Sequence, residues 1–406
     1  MRKPLSAGIL PDVMRPKRSV RDAPVRGRRV LVRVDFNVPV TAAGAVADDR
    51  RIVEALPTLK HLEAAGARTI LLSHLGRPEG RRDPRLSLKP VVHRLSGYLG
   101  RPVPLAEDAV GIRAIEASAR LQNGEFLMLE NLRFHPGEEA NDPGFAAQLA
   151  RLGEVFVEEA FGTVHRAHAS TVGVPRHLPS FVGFLVEREI RELSPLVDGA
   201  EKPYVALLGG AKVADKLPLL RSFLGRADVL LIGGALAFPF LAAQGADLGA
   251  TAIEPGLQSA VEEFVALAAS TGTKVVLPED VLIEVPGRSD ADAAPATHIP
   301  AGAIARDIGP RTRDAFVAAL TGSRTVFWNG PLGRAEDPRF APGTREVLAA
   351  LAGLPGHHVC AGGDSARIAR DLGVVQAFHY VSTGGGAALE FVQGAELPGL
   401  AVIPDA

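Results

Sequence analysis

Residues 204–216 read Tyr204-Val-Ala-Leu-Leu-Gly-Gly-Ala-Lys-Val-Ala-Asp-Lys216. The apolar run at its start suits a strand buried on both faces. Gly209-Gly210 then turns the chain, and a helical pattern opens with Lys212 and Lys216 four positions apart on one helix face. Glycine lets the backbone come close, a helix start offers unpaired N–H groups, and lysine adds a full charge. The stretch therefore predicts a βα turn suited to phosphate. It is not a Walker A loop, because G-x-x-x-x-G-K-[ST] occurs nowhere in the chain.

The same alternation of short apolar runs and helical periodicity extends in both directions. Runs at 29–34, 68–72, 125–129 and 154–157 precede it, and runs at 229–232, 274–277, 325–327, 358–360 and 380–381 follow. Amphipathic patterns at 51–65 and 346–354 are examples of the intervening helices. An α/β chain with buried parallel sheets is the expected class. Residues 284–310 have weak periodicity and several Pro, Gly and Asp residues, so mostly loop is expected there.

In open parallel sheets ligands bind beyond the carboxyl ends of the strands, and the two halves of the chain differ there. Second-half runs lead into Gly209-Gly210, Gly233-Gly234, Asn329-Gly330, Gly362-Gly363 and Gly384-Gly385-Gly386. Any one such turn is weak evidence of a ligand, since tight βα turns need glycine anyway. Five on one rim make a candidate site for nucleotide phosphates. Asp364, between Gly363 and Ser365, suits either a helix cap or a Mg²⁺ ligand. Glu336 suits ribose hydroxyls, or a solvated loop.

First-half runs lead instead into basic and polar residues. Arg51, His74, Arg77, Arg133, His165, Arg166 and His168 fall at or near strand ends, with Asp35 and Asn37 placed to bond hydroxyls. A lone arginine usually pairs with a surface glutamate and a lone histidine usually packs. Repetition at strand ends points instead to a small acid with a carboxylate and a phosphate, because the arginine fork grips both.

With 406 residues, 47% hydrophobic and 22% charged, the chain has globular composition and length for two or three domains. A formal net charge of −1 provides no global field for nucleic acid or an anionic membrane. The single Cys360 excludes an internal disulfide, and no apolar run approaches bilayer-spanning length. Residues 1–20 are basic and broken by prolines, which reads as a short flexible lead-in. The boundary between halves is expected within 184–203, where 184–193 reads as a helix.

Several strings resemble the phosphoglycerate kinase family. They are Val34-Asp-Phe-Asn-Val-Pro39, Ser73-His-Leu-Gly-Arg-Pro78, Leu129-Glu-Asn-Leu-Arg-Phe134, Ala160-Phe-Gly162 and His165-Arg-Ala-His168 in the first half. Gly209-Gly-Ala-Lys-Val213, Trp328-Asn-Gly-Pro331, Gly362-Gly-Asp-Ser365 and Ser382-Thr-Gly-Gly-Gly-Ala387 continue the series in the family's order.

The resemblance implies two Rossmann-like parallel-sheet domains separated by a cleft and joined by a helix. Residues 1–185, with 394–406 returning, would bind phosphoglycerate; 186–202 would form the linking helix; 203–393 would bind the nucleotide. It implies a cytoplasmic, monomeric enzyme of glycolysis that transfers phosphoryl reversibly between ATP and 3-phosphoglycerate with Mg²⁺, by direct in-line transfer with domain closure. Asp35, Asn37, Arg51, His74, Arg77, Arg133 and Arg166 are then the acid's site. Gly210, Lys212, Lys216, Gly234, Asn329, Glu336, Gly363, Asp364, Ser365 and Gly385 are the nucleotide's. Arg51 and Lys212 follow the moving phosphoryl group, and Asp364 holds the metal. Where the family usually has Asn-Asp and Val-Phe, this chain has Glu158-Glu159 and Arg334-Ala335, which bear on the pairing of Arg166 and on the adenosine contacts. Glycines common in the family are replaced by Ala235 and Ala361, and a frequent basic residue by Ala250. A non-catalytic nucleotide-binding relative, or a kinase for a different small acid, is the alternative.

Overall fold

The computed structural model describes residues 15–406. The described chain up to Arg191, together with Ala395–Ala406, forms one compact unit, and Glu192–Gly394 forms the other. In the first unit the elements run β1 (Arg29–Arg33), α1 (Arg50–Ala64), β2 (Arg68–Leu72), α2 (Lys89–Leu99) and α3 (Ile112–Arg120). They continue β3 (Phe126–Met128), α4 (Pro136–Glu139), α5 (Pro143–Ala150), β4 (Val155–Glu158), β5 (Ser180–Val182) and α6 (Phe184–Val197), whose last turns belong to the second unit. The strands form one parallel sheet in the order β3-β2-β1-β4-β5.

Alternate side chains of this sheet feed two cores. Val30 and Val32 pack with Ile52, Leu56 and Leu59 of α1 and Val91 and Leu95 of α2. Leu31, Ile70, Leu72 and Leu127 pack on the other face with Ala114 of α3 and Phe145 and Leu149 of α5. Both faces are covered, so the strands are mostly apolar rather than alternating, with Arg33 and Glu158 as buried charged exceptions at strand ends. β5 has only three residues, too few for a periodicity to show.

The second unit runs β6 (Tyr204–Leu208), α7 (Val213–Phe223), β7 (Val229–Ile232), α8 (Phe238–Ala243), α9 (Gln258–Thr271) and β8 (Lys274–Val276). Next come β9 (Asp280–Glu284), β10 (Asp292–Pro295), β11 (Ile304–Ile308), α10 (Pro310–Leu320), β12 (Thr325–Asn329) and α11 (Pro342–Ala349). β13 (His357–Cys360), α12 (Gly363–Asp371), β14 (Tyr380–Val381) and α13 (Gly386–Val392) complete it, and α14 (Pro398–Ala401) lies back in the first unit. Six parallel strands order as β14-β13-β12-β6-β7-β8. Val205, Leu207, Val326 and Trp328 pack under Phe316, Val347 and Ile368. The opposite face carries an aromatic row, Tyr204 to Phe223 to Phe327.

One expectation needs refinement and two need correction. Residues 284–310 are loop for the larger part, as expected, but the loops carry two strands, β10 and β11, that pair with β9 in an antiparallel sheet ordered β10-β9-β11. Its apolar side rests on Phe238, Leu241 and Leu248. The strand Asp-Ala-Ala-Pro of β10 has no large apolar residue, which is why the pattern is faint. The helix expected at 346–354 starts earlier, at Pro342 in its first turn, and stops at Ala349. Within the expected lead-in, residues 1–14 lie outside the described part, but Lys17 and Ser19 are not loose. Lys17 Nζ donates to Asp405 at 2.7 Å, the Ser19 hydroxyl donates to Glu187 at 2.9 Å, and Val182 N bonds Arg18 O at 2.8 Å.

Candidate functional site

In the first unit the charged strand ends converge on His74. Arg33, wholly buried within β1, donates from Nη2 to His74 Nδ1 at 3.1 Å and from Nε to Ser170 Oγ at 2.8 Å. The Ser170 hydroxyl in turn donates to buried Glu138. Because arginine only donates, Nδ1 of His74 is the acceptor. Burial, then the charges of Arg33, Arg133, Arg51 and Arg166, hold the His74 pKa well below the ordinary value. Burial and charges including Arg133, Arg33 and Arg166 push His168 down to about 4, and burial and Arg166 lower His165. The imidazoles are therefore neutral at pH 7, and the positive charge of this rim is all guanidinium.

Arg51, in the first turn of α1, donates to Asp35 Oδ2 at 2.8 Å and to Asn37 O at 3.2 Å. Asn37 Oδ1 accepts from Gly76 N at 2.9 Å and so ties the β1 end to the β2 end. Arg133 donates to Gly76 O at 2.8 Å and pairs with Glu139 at 3.1 Å. Exposed Arg77 has no ion pair among the described residues, and Arg166 has only His165, at 3.2 Å. Arg33, Arg51, Arg133 and Arg166 thus all act on His74, and Arg166 has no carboxylate partner among the described residues. An anion is what Arg166 lacks. Arg33, Ser170 and Glu138 were missed in the sequence; the signal was an arginine inside an otherwise apolar run.

In the second unit every expected glycine turn lies at the carboxyl end of the parallel sheet. Lys216 folds inward and donates to Gly209 O at 2.7 Å and to Asn329 Oδ1. Burial, opposed by the charge of Asp364, brings its ammonium down to about 8. Asn329 Nδ2 donates to Ala361 O at 2.7 Å, and Ser365 Oγ accepts from Gly330 N at 2.8 Å. Asn329 therefore ties the end of β12 to the end of β13, and Ser365 ties the turn after β12 to the first turn of α12. The Gly210 turn is tied to the segment after β7 by Leu236 N donating to Gly210 O at 2.9 Å. Gly363 opens α12, and Gly385 caps α13.

Lys212 is exposed at the N-cap of α7 and has no ion pair among the described residues. The free helix start expected behind it is not free. Glu254 Oε2 accepts from Val213 N at 2.9 Å and Ala214 N at 3.3 Å, because a carboxylate satisfies a helix start as a phosphate would. Asp364 lies exposed in the first turn of α12 and makes no capping bond. Glu336, 70% exposed, is held by Arg334 at 3.6 Å.

A family model described as phosphoglycerate kinase matches residues 20–395. The chain belongs to the phosphoglycerate kinase family. A phosphoglycerate kinase of Thermus thermophilus is 50% identical over 391 residues, 95% of this chain and 99% of that one. That of Moorella thermoacetica is 46% identical over 96% of this chain and 99% of its own. The solved phosphoglycerate kinase of Coxiella burnetii superposes with a TM-score of 0.88 at 35% identity, covering 95% of this chain and 98% of that one. As a member of the phosphoglycerate kinase family the chain is a phosphotransferase of glycolysis with small-molecule substrates. No helix among the described residues is long and apolar enough to cross a membrane.

Two sequence departures from the family now have structural roles. Glu159 is buried and accepts from Leu185 N at 3.3 Å, which caps α6. A Cβ on Gly183 would collide with that carboxylate, so Gly183→Ala should cost about 1–3 kcal/mol of stability, read by denaturant unfolding. Glu158 Oε1 accepts from Ala160 N at 2.8 Å, while Oε2 is buried without a partner among the described residues. Neither pairs with Arg166. Burial raises Glu158 to about 8 from its ordinary 4.5, so the folded state binds the proton more tightly than the unfolded chain. Stability from this group is complete below pH ~4.5 and is lost as pH rises through about 8. The melting temperature of Glu158→Gln minus that of the wild type should widen across that window and level off above it. A gap independent of pH would contradict the assignment.

Proposed function

We propose that this chain catalyses ATP + 3-phosphoglycerate = ADP + 1,3-bisphosphoglycerate, with the acid on the first unit and the nucleotide on the second. The observation that carries the reading is the set of guanidiniums around His74, Arg33, Arg51, Arg133 and Arg166, of which Arg166 has no carboxylate among the described residues. Arg77, Arg133 and Arg166 bind the acid's phosphate and carboxylate, and Asp35 and Asn37 orient its hydroxyl. His74, held neutral, offers a hydrogen bond rather than a charge. Lys216 grips a nucleotide phosphate oxygen, the glycine turns let the phosphates approach the backbone, and Glu336 faces the ribose.

Arg51 and Lys212 attend the phosphoryl group as it passes in line between the two oxygens. No general base is needed, since the accepting carboxylate is already ionised. Asp364 suits Mg²⁺, which takes one or two carboxylates and keeps waters and phosphate oxygens for the rest. Once bound, the ion would neutralise phosphate charge. A monomer in the cytoplasm is the form we assign to it.

A coupled assay that offers 3-phosphoglycerate, glycerate and acetate in turn, each with and without Mg²⁺, tests the reading. Turnover with 3-phosphoglycerate and Mg²⁺ alone is expected; preference for acetate or glycerate would overturn it. The non-catalytic alternative rested on Glu158-Glu159 and Arg334-Ala335. Among these, Glu159 caps a helix and Arg334 holds Glu336, and they displace none of the charged groups above.

A further inference from the structure

At the amino ends of β13 and β14, on the sheet edge opposite the glycine turns, two histidines and a glutamate converge. Glu192 comes from the C-terminal half of α6, His357 begins β13, and His379 immediately precedes β14. Among the described residues this is the one group of three such side chains whose ligand atoms all lie within 4.8 Å of one another. We propose that it is a binding site for a divalent transition cation of the zinc class, separate from the Mg²⁺ of the kinase reaction.

The distances favour a shared ion. Zinc bonds of about 2.0–2.2 Å place tetrahedral ligand atoms about 3.3–3.6 Å apart. His379 Nε2 lies 3.4 Å from Glu192 Oε2, and His357 Nδ1 lies 3.9 Å from the same oxygen. The second of these is too long for a hydrogen bond. The rings stand 5.2 Å apart and tilted by 54°, so their edges converge and their faces do not stack.

The orientation of His357 is a second, independent observation. Its Nε2 lies 2.8 Å from the main-chain carbonyl of Glu192, and a carbonyl only accepts. Nε2 therefore carries the proton, and in the neutral ring the lone pair of Nδ1 points toward the carboxylate. This is the outer hydrogen bond that fixes a metal-binding histidine in its ligating tautomer. The Glu192 side chain is only 12% exposed, whereas His379 is 56% exposed, so an ion has a way in from solvent and a shielded anion to meet.

Two imidazoles and one carboxylate are the donor set of zinc, cobalt, nickel or copper, not of the oxygen-seeking Mg²⁺. Three protein ligands leave a position for water. The ion would fasten the end of α6 to β13 and β14 without touching the phosphate-binding edge.

The test uses the full, untagged chain stripped with chelator and titrated with ZnCl₂ by calorimetry, with Co²⁺ as an optical probe. One saturable equivalent is expected, with the visible bands of four-coordinate Co²⁺ and a higher melting temperature. Losing an outer partner of a metal site costs about 10–100-fold in affinity, and losing a ligand should cost no less. His379→Ala, at an exposed position that tolerates truncation, should therefore weaken binding at least ~10-fold, as should Glu192→Gln. The proposal is wrong if zinc shows no saturable equivalent, or if it binds both variants as tightly as the wild type.

Discussion

Arg51→Ala should lower kcat by roughly 10²-fold or more, the scale of losing a group that meets charge developing in the transition state. Arg51 leans on Asp35 and on the Asn37 carbonyl, so its guanidinium is already oriented before any substrate arrives. That orientation is what alanine removes. Lys212→Ala should show a loss of the same order, because Lys212 is an exposed cation with no ion pair among the described residues to redirect it. The two losses should fall on kcat more than on either KM, since both groups are assigned to the phosphoryl group in transit and not to the resting substrates. Steady-state kinetics with each substrate varied reads this directly. Near wild-type turnover in both variants would remove them from the chemistry.

Gly330→Ala should weaken nucleotide binding at least ~10-fold and also lower the melting temperature, since overpacking costs about 1–3 kcal/mol. Gly330 has a φ of +87°, where a side chain adds strain. A Cβ there would run into the Gly209 carbonyl and stand 2.6 Å from Lys216 Nζ. The β6 and β12 turns touch backbone to backbone at this point, with Gly209 N bonded to Asn329 O at 2.9 Å and Gly210 N to Pro331 O at 2.9 Å. Neither can retreat without moving Lys216. Calorimetric titration with ADP and Mg²⁺ measures the effect; unchanged affinity would mean that the turn is not part of the nucleotide site.

Much of this arrangement was legible in the chain itself. Apart from β5, the strands of both parallel sheets announced themselves as apolar runs rich in Val, Ile and Leu because the sheets are covered on two faces. The contrast between basic strand ends and glycine turns was visible because those residues follow the runs directly. What stayed hidden depends on distant partners. Glu254 caps α7 from forty residues away, and nothing local marks it out from a solvated loop glutamate. Asn329 and Ser365 read as ligand contacts, and their further part in fastening the β12 turn to the end of β13 and to α12 could not be read from the sequence. Arg33 sits inside a strand, where its charge is matched through Ser170 and Glu138, and only the packed fold brings those together. The antiparallel sheet of β9, β10 and β11 was obscured by short strands with little apolar contrast.

The division of labour between the units is most directly tested by calorimetry on Arg77→Ala. Arg77 is exposed, so the variant should fold normally. Losing a charged hydrogen bond is worth about 1.5–3 kcal/mol, so affinity for 3-phosphoglycerate should fall about 10–100-fold. Affinity for ADP with Mg²⁺ should stay within about twofold, because that ligand is assigned to residues of the other unit. Unchanged 3-phosphoglycerate binding, or a loss confined to the nucleotide, would contradict the account.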